Sequence, residues 1–132
     1  MSLHRLSGHA LLVLIAFIAT PAVATVQLRV ALTGNNAWTG RLAAPNRDQT
    51  DGPFATLERA RDAIREVKRH GGLPPGGVIV ELAGGTYERD NTFELTSEDS
   101  GEAEHPIAYR AAPGTEVRLV GGKAVNRLDE SD

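Results

Sequence analysis

The chain has 132 residues, of which 41% are hydrophobic and 23% are charged, with a formal net charge of −3 and no cysteine. This length allows one small domain at most and excludes a large multidomain enzyme. The lack of thiols excludes disulfides, cysteine-ligated metal sites and thiol catalysis, and the acidic balance argues against a nucleic-acid partner, because phosphate binding needs a basic face.

The first 24 residues have the pattern of a secretory signal peptide. His4 and Arg5 form a weakly basic start, an apolar run follows over 10–19, and Ala22 and Ala24 are small residues suited to a cut before Thr25. The apolar run is too short to cross a bilayer core, which needs about 20 residues. We therefore expect a secreted or periplasmic protein that has no membrane contact after the signal is cleaved.

The mature chain begins with a predicted strand, a long irregular segment and a helix. Apolar residues alternate with smaller or polar ones over 25–32, which is the period of a half-buried strand. Gly, Asn, Asp and Pro recur at short intervals over 33–53, so no regular element is expected there. Thr56 is a predicted helix N-cap. The helix it begins has apolar residues at helical spacing and ends at Gly71 and Gly72; the apolar positions are Leu57, Ala60, Ile64 and Val67.

Four short strands are predicted after the helix, over 78–83, 92–96, 107–112 and 117–120, with apolar residues at every second position. Glycine-rich segments separate them, and none of the gaps is a two-residue hairpin turn. The spacing suits either a β-sandwich or a coil in which one turn is made of two or three strands. Spacing alone leaves both architectures open.

Several motifs lie in one order along the chain. They occupy 51–57, 84–87, 95–101, 106–114 and 119–122, and the Asn-rich segment 34–46 precedes them. Together they resemble the amino-terminal portion of secreted right-handed parallel β-helix proteins. These proteins belong to the pectate-lyase-like superfamily, and the closest resemblance is to its bacterial glycoside hydrolase branch.

The resemblance implies an all-β fold, with an N-terminal cap helix and the first coils of a right-handed parallel β-helix within residues 25–122. A β-sandwich is the alternative fold. The apolar face of the helix would cover the open end of the first coil. The residues expected to point into the coil interior are Val78, Val80, Leu82, Phe93, Leu95 and Leu119. Residues 123–132 are polar and leave the pattern, so we expect a disordered tail or a truncated reading frame there.

The resemblance also implies a carbohydrate-active protein, either a glycoside hydrolase or a polysaccharide lyase. Such proteins continue for several hundred residues through the coils that carry the active site. We therefore expect an N-terminal fragment that lacks the catalytic coils and is inactive alone. Its expected partners are those missing C-terminal β-helix coils and a polysaccharide or glycan. The alternative is a non-enzymatic exported carbohydrate-binding or surface module.

Few residues are candidates for a site, and no catalytic residue or cofactor is assigned. Trp38 lies in the irregular segment, where an aromatic ring could stack on a sugar as a substrate-binding residue, although a Trp more often anchors such a loop. Glycoside hydrolysis needs two carboxylates about 5 to 9.5 Å apart, and the local acidic cluster is at 98–104. An acidic turn explains that cluster. A calcium site at Glu98 and Asp99 is the alternative, since hard cations take several oxygens from one loop.

Overall fold

The computed structural model describes residues 19–122. The elements in chain order are β1 (Val26–Val30), α1 (Leu57–Gly71), β2 (Val78–Leu82), β3 (Gly85–Glu88), a 3-10 turn (Ser97–Asp99), β4 (Ile107–Ala111) and β5 (Val117–Val120). Most of the predicted signal peptide and the whole of the predicted tail, 123–132, lie outside the described residues.

The strands form two small parallel sheets. The first has the order β1-β2-β4, and the second pairs β3 with β5. Val26, Val78 and Ile107 form the first register row of the three-stranded sheet. Parallel neighbours need a long crossover, and the segment that contains α1 supplies it between β1 and β2. The result is a small mixed α/β fold.

The predicted all-β fold class, with stacked coils of a right-handed parallel β-helix, is therefore wrong for this chain. A helix of 15 residues joins β1 to β2, and the described strands form two small sheets rather than stacked β-helix coils. The β-sandwich alternative is also wrong, because the described strand pairs are parallel, whereas a sandwich is built from antiparallel sheets. Apolar residues at every second position indicate a strand and its buried face. They do not specify which strand lies beside it or whether the two run in the same direction.

One predicted strand is absent, and one strand that was not predicted is present. Residues 92–96 form no strand and lead into the 3-10 turn, where the side chains of Thr96 and Asp99 cap each other's backbone. Conversely, β3 begins at Gly85, in one of the glycine-rich segments expected to separate the strands. Gly85 has a φ of 146°, a conformation that residues with a Cβ rarely adopt.

The hydrophobic core lies between α1, β1 and β2. Val78, Val80 and Leu82 are buried as predicted, and so are Leu57, Ala60 and Ile64 of α1, together with Leu28, Val30, Phe54 and Tyr87. Leu95 and Leu119, which were predicted to point inward, are 52% and 54% exposed. The core is therefore complete near β1 and β2 and open near β4 and β5.

Helix α1 begins and ends as its sequence predicts. Thr56 Oγ1 accepts a hydrogen bond of 3.2 Å from the amide of Arg59, and three basic residues occupy the last turn, where they suit the negative end of the helix dipole. Gly72 follows with a φ of 80°. No helix between residues 19 and 122 has the length and apolarity that a membrane crossing requires.

Replacing Thr56 by alanine is expected to lower the free energy of unfolding by about 1 kcal/mol, because it leaves the amide of Arg59 without its acceptor. Thr56→Ser keeps the hydroxyl and is the matched control. Urea unfolding followed by far-UV circular dichroism measures both variants. Equal unfolding midpoints for the alanine and serine variants would contradict a capping role.

Candidate functional site

The irregular segment that contains Trp38 is held together by its own polar groups. One carboxylate oxygen of Asp51 accepts hydrogen bonds from the amide of Thr39 at 2.8 Å and from the amide of Gly52 at 2.8 Å. The Thr39 hydroxyl also donates to this carboxylate, at 2.9 Å. These bonds, above all the one from the Thr39 amide, hold the pKa of Asp51 below its usual value. The segment is therefore a loop with a fixed conformation.

Trp38 packs one side of its ring against this loop. A Cβ added at Gly52 would lie 2.6 Å from Cε3 and Cζ3 of the indole, so only glycine fits beneath the ring. The Trp38 side chain is half-buried, and its amide donates to the carbonyl of Asn35 at 3.1 Å. This packing is that of an anchor, and sugar binding by Trp38 stays a prediction.

Trp38→Ala is expected to destabilise the chain by about 1 to 3 kcal/mol, because it leaves a gap above Gly52. Trp38→Phe is expected to retain part of this stability. Trp38 is the sole tryptophan, so its fluorescence reports directly on sugar binding. We expect no saturable change in Trp38 fluorescence when oligogalacturonides or xylo-oligosaccharides are added. A saturable change in the parent chain, together with weaker sugar binding by the phenylalanine variant in isothermal titration calorimetry, would show that Trp38 is a sugar platform.

The acidic turn faces the last turns of α1. The guanidinium of Arg65 binds Asp99 in a bidentate manner, with Nε to Oδ1 and Nη2 to Oδ2 both at 2.7 Å. The amide of Thr96 adds a third hydrogen bond, also at 2.7 Å. These bonds, led by those from Arg65, lower the pKa of Asp99 to about 2 against an opposing effect of burial. Both oxygens of Asp99 thus serve to attach the turn to the helix.

Glu98 lies beside this pair with about half of its side chain exposed, and its Oε2 is 3.6 Å from Arg65 Nε. Its backbone carbonyl accepts a hydrogen bond from Lys68 Nζ at 2.5 Å. Residues 19–122 contain no group of three acidic, histidine or cysteine side chains that could hold a metal ion. The arrangement around Glu98 and Asp99 is a pairing of acids with helix cations, and calcium binding there stays a prediction.

A second charged cluster crosses the three-stranded sheet. Arg29, Glu81 and Arg110 are register partners on β1, β2 and β4. The Glu81 side chain is buried between the two guanidinium groups: it forms an ion pair with Arg29 and accepts from Arg110 Nη2 at 3.1 Å. Arg110, on the outermost strand, is half exposed. The row therefore alternates in sign and ends on a cation at the rim of the sheet.

An apolar cavity of about 350 Å³ opens between the ends of the two sheets. Its wall includes Leu82, Phe93, Leu95, Tyr109, Val117 and Leu119. The rings of Phe93 and Tyr109 meet edge to face, with centroids 5.8 Å apart. Burial raises the pKa of Tyr109 to about 12, so the phenol stays neutral at physiological pH.

The cavity is flanked by two strands with free edges. Among residues 19–122, β4 pairs only with β2, and β5 pairs only with β3. We call the free edges of β4 and β5, together with the cavity between them, the open edge. The cavity lining includes one charged residue, Arg110, and no carboxylate. The open edge is thus suited to apolar and backbone contacts rather than to acid and base chemistry on a sugar.

Further coils were expected from the sequence as partners of this chain, but Leu95 and Leu119 were placed inside a coil rather than at the open edge. The available signal was the same pair of leucines, since large apolar residues that face outward mark a surface that something else covers. Arg65 was also missed as the partner of Asp99. Asp99 is 34 residues beyond Arg65 in the sequence, and local spacing does not indicate a pairing at that separation.

Comparison with known proteins gives a limited result. No protein-family profile matches the chain, and no curated protein matches it. Among solved structures, a protein named glycoside hydrolase is similar to 74% of this chain, with a TM-score of 0.62 and 28% sequence identity. The matched part is 15% of that protein's chain. The structural similarity is thus to a small part of a protein named glycoside hydrolase, and the resemblance to the pectate-lyase-like superfamily stays a prediction.

Proposed function

We propose that this chain is the amino-terminal, non-catalytic portion of a secreted carbohydrate-active protein of the glycoside hydrolase kind. The observation that carries the proposal is the coverage of the structural match, which takes in 74% of this chain and 15% of the glycoside hydrolase chain. The greater part of that neighbour has no counterpart here. The activity of the whole protein would therefore depend on further polypeptide.

The carboxylates that the structure describes near the core support a structural role for this portion. Glu58 pairs with Arg89, Glu81 with two arginines and Asp99 with Arg65. Burial alone would raise the pKa of Glu58, but the hydrogen bond from Arg89, a backbone hydrogen bond and the charges of Arg89 and Arg61 together hold that pKa below its usual value. A glycosidase needs a carboxyl group with a raised pKa as its general acid. The arginines instead favour the ionised forms of Glu58 and Asp99.

Export is part of the same proposal, and the chain before β1 suits it. Residues 20–25 have no regular structure. The carbonyl of Ala24 and the hydroxyl of Thr25 hydrogen-bond to Gly76 in the folded chain, so a peptidase would cut between them before the chain folds. Cleavage there would leave β1 intact, since the strand begins at Val26. Expression in a secreting bacterium and amino-terminal sequencing of the exported product test this, with Thr25 as the expected first residue. A product that keeps Met1 would contradict export.

The catalytic part of the proposal is tested on the gene and on the purified chain. The DNA beyond codon 132 is expected to continue in frame, and the longer product is expected to cleave a polysaccharide. The chain alone is expected to show no turnover on pectin, xylan or fucosylated glycans in a reducing-end assay. Turnover by the chain alone, or a longer product without activity on glycans, would contradict the proposal. Saturable binding of sugar at Trp38 would favour the alternative of a carbohydrate-binding module.

A further inference from the structure

The backbone of β4 has a hydrogen-bonding row that the described residues leave unused. The amide of Val78 donates to the carbonyl of Pro106, and the amide of Ala112 donates to the carbonyl of Leu82, both at 2.8 Å. Alternate residues of a parallel strand bond to the same neighbour, so even-numbered residues of β4 bond to β2. The amides and carbonyls of Ile107, Tyr109 and Ala111 therefore point to the free edge.

The free edge of β5 also has backbone hydrogen-bonding groups that the described residues leave unused. The carbonyls of Glu116, which precedes β5, and of Val120 accept from amides on the β3 side at 2.9 and 2.8 Å. The backbone groups of Val117 and Leu119 therefore point outward. Exposed strand edges of this kind pair readily with another polypeptide strand. The apolar cavity between β4 and β5 would be covered by the side chains of such a strand.

Charge indicates which strand would fit. The row of Arg29, Glu81 and Arg110 alternates in sign along the sheet, and it carries two cations for one anion. Neighbouring register positions lie about 4.8 Å apart, where opposite charges stabilise a strand pair and like charges destabilise it. The position beyond Arg110 therefore favours a carboxylate and disfavours a cation.

We propose that the open edge binds a polypeptide strand that lies parallel to β4, buries apolar side chains over the cavity and carries Asp or Glu in register with Arg110. If the proposed function holds, this strand belongs to the remaining part of the same protein. A second copy of this chain is a poor fit in parallel, because the outer edge of β1 is already hydrogen-bonded to Gly40 and Phe54.

The test uses the full chain with a strand attached in cis. A tether of glycine and serine follows Asp132. The tether has 18 residues, the same length as the connection between β3 and β4, residues 89–106. A second copy of the β4 sequence follows the tether and carries Arg110→Glu in one protein and Arg110→Lys in its matched control. A third protein carries the tether alone. Attachment raises the effective concentration of the strand at the edge.

Hydrogen exchange of the amides of Ile107, Tyr109 and Ala111 is the readout. The strand with Glu is expected to protect these amides about two- to fivefold more than the strand with Lys, and the tether alone is expected to give no protection. Arg110→Gln in β4 itself is expected to remove the difference between the two strands. Circular dichroism checks that this variant folds, and the comparison on the unaltered chain stands without it.

Three results would overturn the proposal. Two of them are equal protection by the Glu and Lys strands and no protection by either strand. The third is protection that increases with protein concentration while sedimentation shows self-association. None of these readouts involves a sugar. Failure of the strand test therefore leaves the proposed carbohydrate function open, and an inactive longer protein leaves the strand test unaffected.

Discussion

Phe54→Ala is expected to destabilise the chain by about 3 to 5 kcal/mol, the cost of removing a fully buried phenylalanine ring. Phe54 is 1% exposed, and its backbone forms a bridge to Val30 at the outer edge of β1. A Cβ at Gly40 would come within 2.3 Å of the ring, so the long loop closes directly over it. The Arg59 guanidinium covers the ring at 4.8 Å from its centroid. The loop, β1 and α1 thus meet at one side chain.

A loss of this size is a large part of the stability of a small domain, which is about 5 to 15 kcal/mol. Urea unfolding followed by far-UV circular dichroism and by Trp38 fluorescence measures it. Leu42→Ala, at an exposed position of the same loop, is the control and is expected to cost less than about 0.5 kcal/mol. Similar losses in the two variants would show that Phe54 does not join the loop to the core.

The local elements of this fold follow closely from the sequence. Helix α1 begins after Thr56 and ends at Gly71, as capping and glycine signals predict. Strands β1, β2, β4 and β5 lie within the predicted ranges. These features depend on neighbouring residues and on a repeating apolar pattern, both of which can be seen in one sequence.

The arrangement of the elements does not follow in the same way. The order β1-β2-β4 and the separate β3-β5 pair depend on contacts between segments far apart in the chain. Leu119 continues the apolar alternation of β5, yet it is exposed because nothing among the described residues packs over it. The alternation at 92–96 was likewise misleading, since the Thr96 and Asp99 caps favour a turn there.

The charge pairs of the candidate site also could not be predicted, because they too join residues far apart in the sequence. The acidic cluster at 98–104 was interpreted as an acidic turn, and Asp99 does cap a turn over Ser97–Asp99. Its partner Arg65 is 34 residues earlier, and sequence patterns place no constraint on a pairing at that separation. The row of Arg29, Glu81 and Arg110 similarly depends on strand register, which a lone sequence does not fix.

The Arg65–Asp99 pair is expected to make stability depend on pH in acid. The folded pKa of Asp99 is about 2, below the value of about 3.9 for an aspartate in an unfolded chain. Protons therefore bind the unfolded state more readily, and the stabilising contribution of Asp99 is complete above the unfolded pKa. It is lost as the pH falls from about 4 through 2.

Asp99→Asn is expected to lower the free energy of unfolding at neutral pH by about 1.5 to 3 kcal/mol, because it weakens charged hydrogen bonds from Arg65 and leaves the guanidinium without its counter-ion. The difference from the parent chain should shrink as the pH falls from 4 to 2, since protonation of Asp99 in the parent chain has the same effect. Urea unfolding at pH 7, 4, 3 and 2 measures this. Glu116→Gln is the matched control, because its exposed carboxylate pairs with Arg118, two residues further along the chain, and should contribute less than about 0.5 kcal/mol. A stability difference for Asp99→Asn that stays constant down to pH 2 would show that the pair does not couple folding to the protonation of this carboxyl group.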